Sequence, residues 1–179
     1  MRSVTPFKLV IIALFAALIC VATLMIQIPI PATGGYVNPG DGLILLCACL
    51  LSPLHAALAA GIGSLLADVL TGYIAFAPGT LVIKAGMALI AALMYTHFIK
   101  DRPARIALPA LAVSGITTEL FMVLGYFFYE AVILGIGAGA VSGIPGNLGQ
   151  GAAAVMVVCV LAPVLTRSSA VSRFADKLR

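Results

Sequence analysis

The chain has 179 residues, of which 63% are hydrophobic and 9% charged, with a mean hydropathy of +1.19 and a formal net charge of +4. Soluble domains average about 45–50% apolar and about 25% charged residues, so this composition excludes a soluble globular protein and describes an integral membrane one. The positive balance does not point to nucleic acid, because all the basic residues but Lys84 flank apolar runs: Arg2 and Lys8 stand at the start of the first, Lys100, Arg102 and Arg105 cluster in "HFIKDRPAR", and Arg167, Arg173, Lys177 and Arg179 follow the last.

The first apolar run, residues 7–28, exceeds the roughly 7–15 residues of a signal-peptide core and lacks an A-x-A cleavage site, so it is expected to be the first span. Ala13 and Ala17, four apart on it, allow close helix approach, either inside the bundle or by a partner. Residues 29–41, "PIPATGGYVNPGD", form a polar loop whose glycines and prolines suit tight turns. Tyr36 and Asn38 are its ligand-capable side chains, and Asp41 stands where an aspartate caps a helix.

The following stretch, "LILLCACLLSPLHAALAAGIGSLLADVLTGYIAF", is too long for one crossing at about 1.5 Å rise per residue. It divides near Ser52 and Pro53 into spans at about 42–54 and 55–73. Two crossings also place "KDRPAR" on the same side as the basic N-terminal flank. Spans four to six follow at about 80–99, 106–129 and 145–166. The expected fold class is an all-α integral membrane protein: one domain over residues 1–179, six transmembrane helices, both termini cytoplasmic. The three outer connections (29–41, 74–79 and 130–144) contain no lysine or arginine.

Ionisable groups within a bilayer cost about 2.5–3.5 kcal/mol on insertion scales and usually face a partner or a cavity. Five fall within or at the edge of spans: Asp41, Asp68, Lys84, Glu119 and Glu130. Glu119, Met122, Tyr126 and Glu130 share one face of span five by helical spacing, and Asn147 and Gln150 share one face at the start of span six. Together they outline a cup open to the outside and floored near Glu119, with amides to hydrogen-bond a ligand and a tyrosine to stack on it. Two structural readings stay open beside it. Lys84 can pair with Asp68 or Asp41 between spans, and the amides can join helices.

The four cysteines lie in apolar runs without metal-site spacing, so no metal site is expected. His55 and His97 fall at inner helix ends, and the chain has no H-E-x-x-H, G-x-S-x-G or P-loop motif. No catalytic site or cofactor is expected.

The "IPIPATGGYVNPGD" loop, "LSPLHAALAAGIGSLLAD", the lysine in "LVIKAGMALIAALM" and "IPGNLGQ" at the last span together resemble one family. It is the substrate-binding S components of energy-coupling factor (ECF) vitamin transporters. The resemblance implies an S-component bundle in a prokaryotic plasma membrane, binding a water-soluble vitamin near the outer face under the first loop. It implies that spans four to six supply most contacts; read with the polar cup, this makes Tyr36, Asn38, Lys84, Glu119, Tyr126, Asn147 and Gln150 the expected substrate ligands. It also implies an energising module of a transmembrane T component and two ABC-type ATPases, the T component packing on Ala13 and Ala17. Two departures bear on the ligand: Gln150 stands where riboflavin-binding members often have a basic residue, and the chain has no tryptophan. Pyridoxine-like and hydroxymethylpyrimidine-like molecules therefore stand beside riboflavin-like ones. From another class, a self-sufficient proton-coupled carrier or channel would use Asp68, Glu119 and Lys84 as a relay.

Overall fold

The computed structural model describes residues 5–178, so Arg2 and Arg179 of the basic flanks lie outside the described residues. In chain order the helices are α1 (Pro6–Met25), α2 (Gly40–Leu50), α3 (Pro53–Thr71), α4 (Ala77–Met94), α5 (Ala104–Phe128), α6 (Ile144–Arg167) and α7 (Ser169–Leu178). α4 and α5 run on through single π turns at Tyr95–Ile99 and Tyr129–Ile133, and a 3₁₀ stretch, Gly137–Gly143, leads into α6. Proline in the first turn starts α1, α3, α4 and α6, where its missing N–H would have no helical partner anyway.

Five helical stretches are long and apolar enough to cross a membrane: Pro6–Met25, Pro53–Thr71, Ala77–Ile99, Ala104–Ile133 and Gly137–Arg167. α2 differs. Its 11 residues span only about 16 Å, about half of a hydrocarbon core. Nine of them are buried, and α2 packs against α1, α3, α4 and α6. It is a short inner helix that the long ones surround. The chain reverses between Leu50 and Pro53, as the length argument required. α1 stops at Met25 because Ile28–Ile30 joins a hairpin.

The bundle is apolar on both sides, as lipid solvent dictates. Ile19, Ile44, Met87, Met122 and Val158 fill its interior at 0–1% exposure, while Val10, Leu70, Val82, Leu124, Val160 and Val164 face outward at 65–69%. The close approach of α1 and α3 falls at Ala16 and Gly63, where any β-carbon on Gly63 would overlap the Ala16 carbonyl. Ala13 and Ala17 lie on the exposed side of α1, outside this contact.

One end of the bundle carries the hairpin and the other the basic residues. At the basic end α7, which lies outside the expected spans, folds back across the bundle. Its Phe174 ring packs edge-on against Phe7 with centroids 6.1 Å apart, and Leu178 is buried. Lys100 Nζ pairs with Asp176 at 2.7 Å.

Candidate substrate site

The connection from α1 to α2 is an antiparallel hairpin, β1 (Ile28–Ile30) against β2 (Gly35–Val37), with Pro29 opposite Tyr36. Gly34 closes its turn at φ +70°, a left-handed conformation that costs other residues roughly 1–2 kcal/mol. Pro29 and Pro31 offer no N–H, which blunts the exposed edge.

Two bonds hold β2 and the residue after it to the bundle. Tyr36 Oη donates to Asp68 Oδ1 of α3 at 2.5 Å, and its ring lies 4.5 Å from that of Tyr73. The Asn38 backbone N–H donates to Gln150 Oε1 of α6 at 2.6 Å. The Asn38 side chain is used locally: its Oδ1 accepts from the Gly40 N–H at 2.9 Å and turns the chain into α2. Tyr36 lies outside the spans, and burial first, then its bond to Asp68, push its phenol well above the ordinary value. It is a hydrogen-bond donor at any physiological pH.

Beneath the hairpin, Lys84 Nζ of α4 pairs with Asp41 Oδ1 of α2 at 2.5 Å, both side chains at most 2% exposed. Gln150 Nε2 donates to the other oxygen of Asp41, so one amide joins hairpin, α2 and α6. Asp41 is therefore not the cap of α2 that its position suggested: no side-chain cap bond forms there. A lysine in hydrocarbon needs a counter-charge more than a surface helix end needs a cap. Lys84 Nζ also stands 5.3 Å from the centroid of the Tyr126 ring, whose hydroxyl donates to Thr80 Oγ1 at 3.0 Å. Asn147 is buried one turn before Gln150.

Tyr36, Asn38, Lys84, Tyr126, Asn147 and Gln150 thus line one small cavity, together with Asp68, Thr80, Ser64 and Glu130. Glu119 does not line it. It lies deeper, beside Asp41 and Lys84, with its methylenes against Gly151 and its carboxyl within hydrogen-bonding reach of Asp41. The sequence reading passed over Thr80 and Ser64 as neutral and left Asp68 undecided. The signal available for Asp68 was its place in the last turn of span three, level with Lys84.

The cavity measures about 20 Å³, room for one water and not for a heterocycle. The polar side chains fill the site with their own bonds. A larger cavity of about 330 Å³ lies at the basic end, lined by Tyr95, Arg102 and Arg167 among others. Size alone would favour it, but none of the five intramembrane ionisable groups reaches it. The chemistry is at the hairpin end. There Lys84, Asp41, Asp68, Glu119 and Glu130 are all buried, one ammonium among four carboxyls.

Residues 3–167 match the model of the family described as "ECF-type riboflavin transporter, S component". The chain belongs to that family. A solved structure described as "Structure and mechanism of the S component of a bacterial ECF transporter" superposes with a TM-score of 0.66 at 18% identity, covering 89% of this chain and 95% of that one. At that identity the likeness speaks for the fold, and it makes this multi-pass bundle an S-component fold. A Pyrococcus woesei protein described as "Uncharacterized protein in gap 3'region" is 52% identical over 66 residues, which is 37% of this chain and 44% of that protein. The chain thus spans less than half the length of that relative. S components are substrate-binding parts of transporters and not an enzyme class.

Proposed function

We propose that this S component is the high-affinity subunit of an ECF-type ABC importer, capturing a small water-soluble vitamin at the outer face of a prokaryotic plasma membrane. The observation that carries the reading is the latched polar cluster, in which a hairpin closes over polar groups from α2, α3, α4, α5 and α6 in an otherwise apolar protein. Carboxyls, amides, hydroxyls and one ammonium together suit a ligand that both donates and accepts hydrogen bonds. Riboflavin-like, pyridoxine-like and hydroxymethylpyrimidine-like molecules all qualify, and the family description makes riboflavin the first to test.

The ligand displaces Tyr36 from Asp68 and the Asn38 N–H from Gln150, then takes up those partners as the hairpin recloses. Tyr126 supplies a ring face, Lys84, Asn147 and Gln150 supply polar contacts, and Glu119 sets the charge beneath Asp41 and Lys84. Ala13 and Ala17, exposed between Leu14 and Leu18 on the outer side of α1, offer a flat surface to a T component, which with two ABC-type ATPases drives uptake.

A titration of the purified chain with riboflavin, pyridoxine and hydroxymethylpyrimidine tests the reading. One of them binds with Kd below about 1 μM, or −8.2 kcal/mol, and Asn147→Ala weakens it about tenfold, the worth of one to two hydrogen bonds. If all three bind only in the millimolar range, the proposal fails. A second reading, the proton-coupled carrier, is favoured by one observation: the Glu119 carboxyl is buried in mid-span beside the Asp41–Lys84 pair. It requires gradient-driven uptake by this chain alone.

A further inference from the structure

The cavity of about 330 Å³ at the basic end takes no part in the proposed capture of substrate. It opens where the end of α2, the π turn after α4, the start of α5, the end of α6 and α7 meet. Its size falls within the range of about 300–1,000 Å³ typical of small-molecule sites.

Its walls differ between depth and rim. The buried lining residues are largely apolar and include Ile99, Leu111 and Ala162. The rim carries Lys100, Arg102 and Arg167 with Asp101 and Asp176. Lys100 is taken by Asp176, but Arg102 and Arg167 form no ion pair among the described residues. Two exposed guanidiniums thus border a cavity with a greasy floor. Leu108, one of its walls, is also 46% exposed on the outer surface of the bundle, so the cavity borders on lipid.

We propose that this cavity binds one anionic phospholipid, its phosphate held by Arg102 and Arg167 and the start of an acyl chain lying on the floor between α5 and α6. Guanidinium forks match phosphate oxygens bidentately. Basic pockets between transmembrane helices on the cytoplasmic side are suited to anionic headgroups. A soluble phosphate would satisfy the arginines and leave the apolar floor wet. A neutral lipid would cover the floor and leave the arginines unmatched. An anionic lipid serves both. Bound there, it would tie α7 to α5 and α6 at the membrane surface.

The full chain in nanodiscs of phosphatidylcholine with one-fifth phosphatidylglycerol tests this, by counting phosphatidylglycerol retained after transfer to detergent and native mass spectrometry. The wild type retains one phosphatidylglycerol, and Arg102→Ala with Arg167→Ala lowers retention about tenfold or more, at two basic contacts. Arg105→Ala, a basic change in the same segment but outside the cavity lining, leaves retention unchanged. Lys100 is kept in every variant, so the Asp176 pair and α7 docking persist, which thermal unfolding of each variant checks. Equal retention by wild type and the double variant overturns the proposal. So does release of the lipid by low millimolar inorganic phosphate, which marks a soluble-anion site, or equal retention of phosphatidylcholine, which marks an apolar groove only.

Discussion

Lys84→Met isolates the ion pair at the centre of the site. The substitution keeps the stem that packs beneath Tyr126 and removes the ammonium 2.5 Å from Asp41. Asp41 is 0% exposed and keeps Gln150 as a donor, with the Glu119 carboxyl beside it, but no counter-charge. Breaking a buried pair from one side costs about 3–5 kcal/mol, because the remaining charge is left uncompensated and away from water. At about 2–4 °C per kcal/mol for a chain of this size, the loss is about 6–20 °C in Tm. A thiol-reactive fluorogenic dye reads it well: Cys20, Cys47 and Cys49 are buried and become reactive only on unfolding, and the chain has no tryptophan to report instead. The double variant Asp41→Asn with Lys84→Met removes both charges and recovers most of the loss, since an amide still bonds Gln150. A Tm within about 2 °C of wild type for Lys84→Met, or a double variant as unstable as the summed singles, refutes a buried pair whose members depend on each other.

Tyr36→Phe removes one hydrogen bond to a carboxyl that closes the empty site, worth about 1.5–3 kcal/mol; stopped-flow ligand association speeds up at least tenfold, and an unchanged rate would show that the hairpin is held some other way. Gly34→Val forces a β-branched residue to φ +70°, and ligand affinity falls while thermal stability barely changes, since the turn is exposed; equal losses in both would mean the hairpin is part of the core. Gly63→Leu pushes α1 from α3 at Ala16 and lowers Tm by several degrees or abolishes expression, whereas Ala13→Leu on the exposed side of α1 leaves the isolated chain as stable as wild type. A stable Gly63→Leu protein would sink the close-approach argument.

Membrane class, the chain reversal at Ser52 and Pro53, and the long helices were legible because apolar length and positive flanks are direct consequences of lipid as solvent. The convergence of Lys84, Tyr126, Asn147 and Gln150 was legible for a related reason: polar groups in hydrocarbon turn toward one another. Asp41 was misjudged because a capping aspartate and a buried counter-ion look alike in sequence. What separated them was three-dimensional, the burial of α2 against α4 and α6. Glu119 was expected at the floor of the cup and stands one layer deeper, since helical spacing gives a face but not the depth at which neighbouring side chains close over it. The hairpin escaped notice because its strands have three residues each, too few for a period-two pattern. α7 fell outside the expected spans because it is short and charged, although Val171, Phe174, Ala175 and Leu178 recur at the helical spacing i, i+3, i+4 and i+7.

The central claim, that this chain captures a vitamin and leaves its transport to an energising module, is tested most directly in liposomes containing this chain alone. Radiolabelled riboflavin or the tighter-binding alternative is offered outside, with and without an inward proton gradient. Capture without transport gives saturable retention of about one ligand per accessible protein, the same with or without the gradient. Accumulation beyond that stoichiometry, driven by the gradient and abolished by Glu119→Gln, would contradict it and make the chain a carrier in its own right.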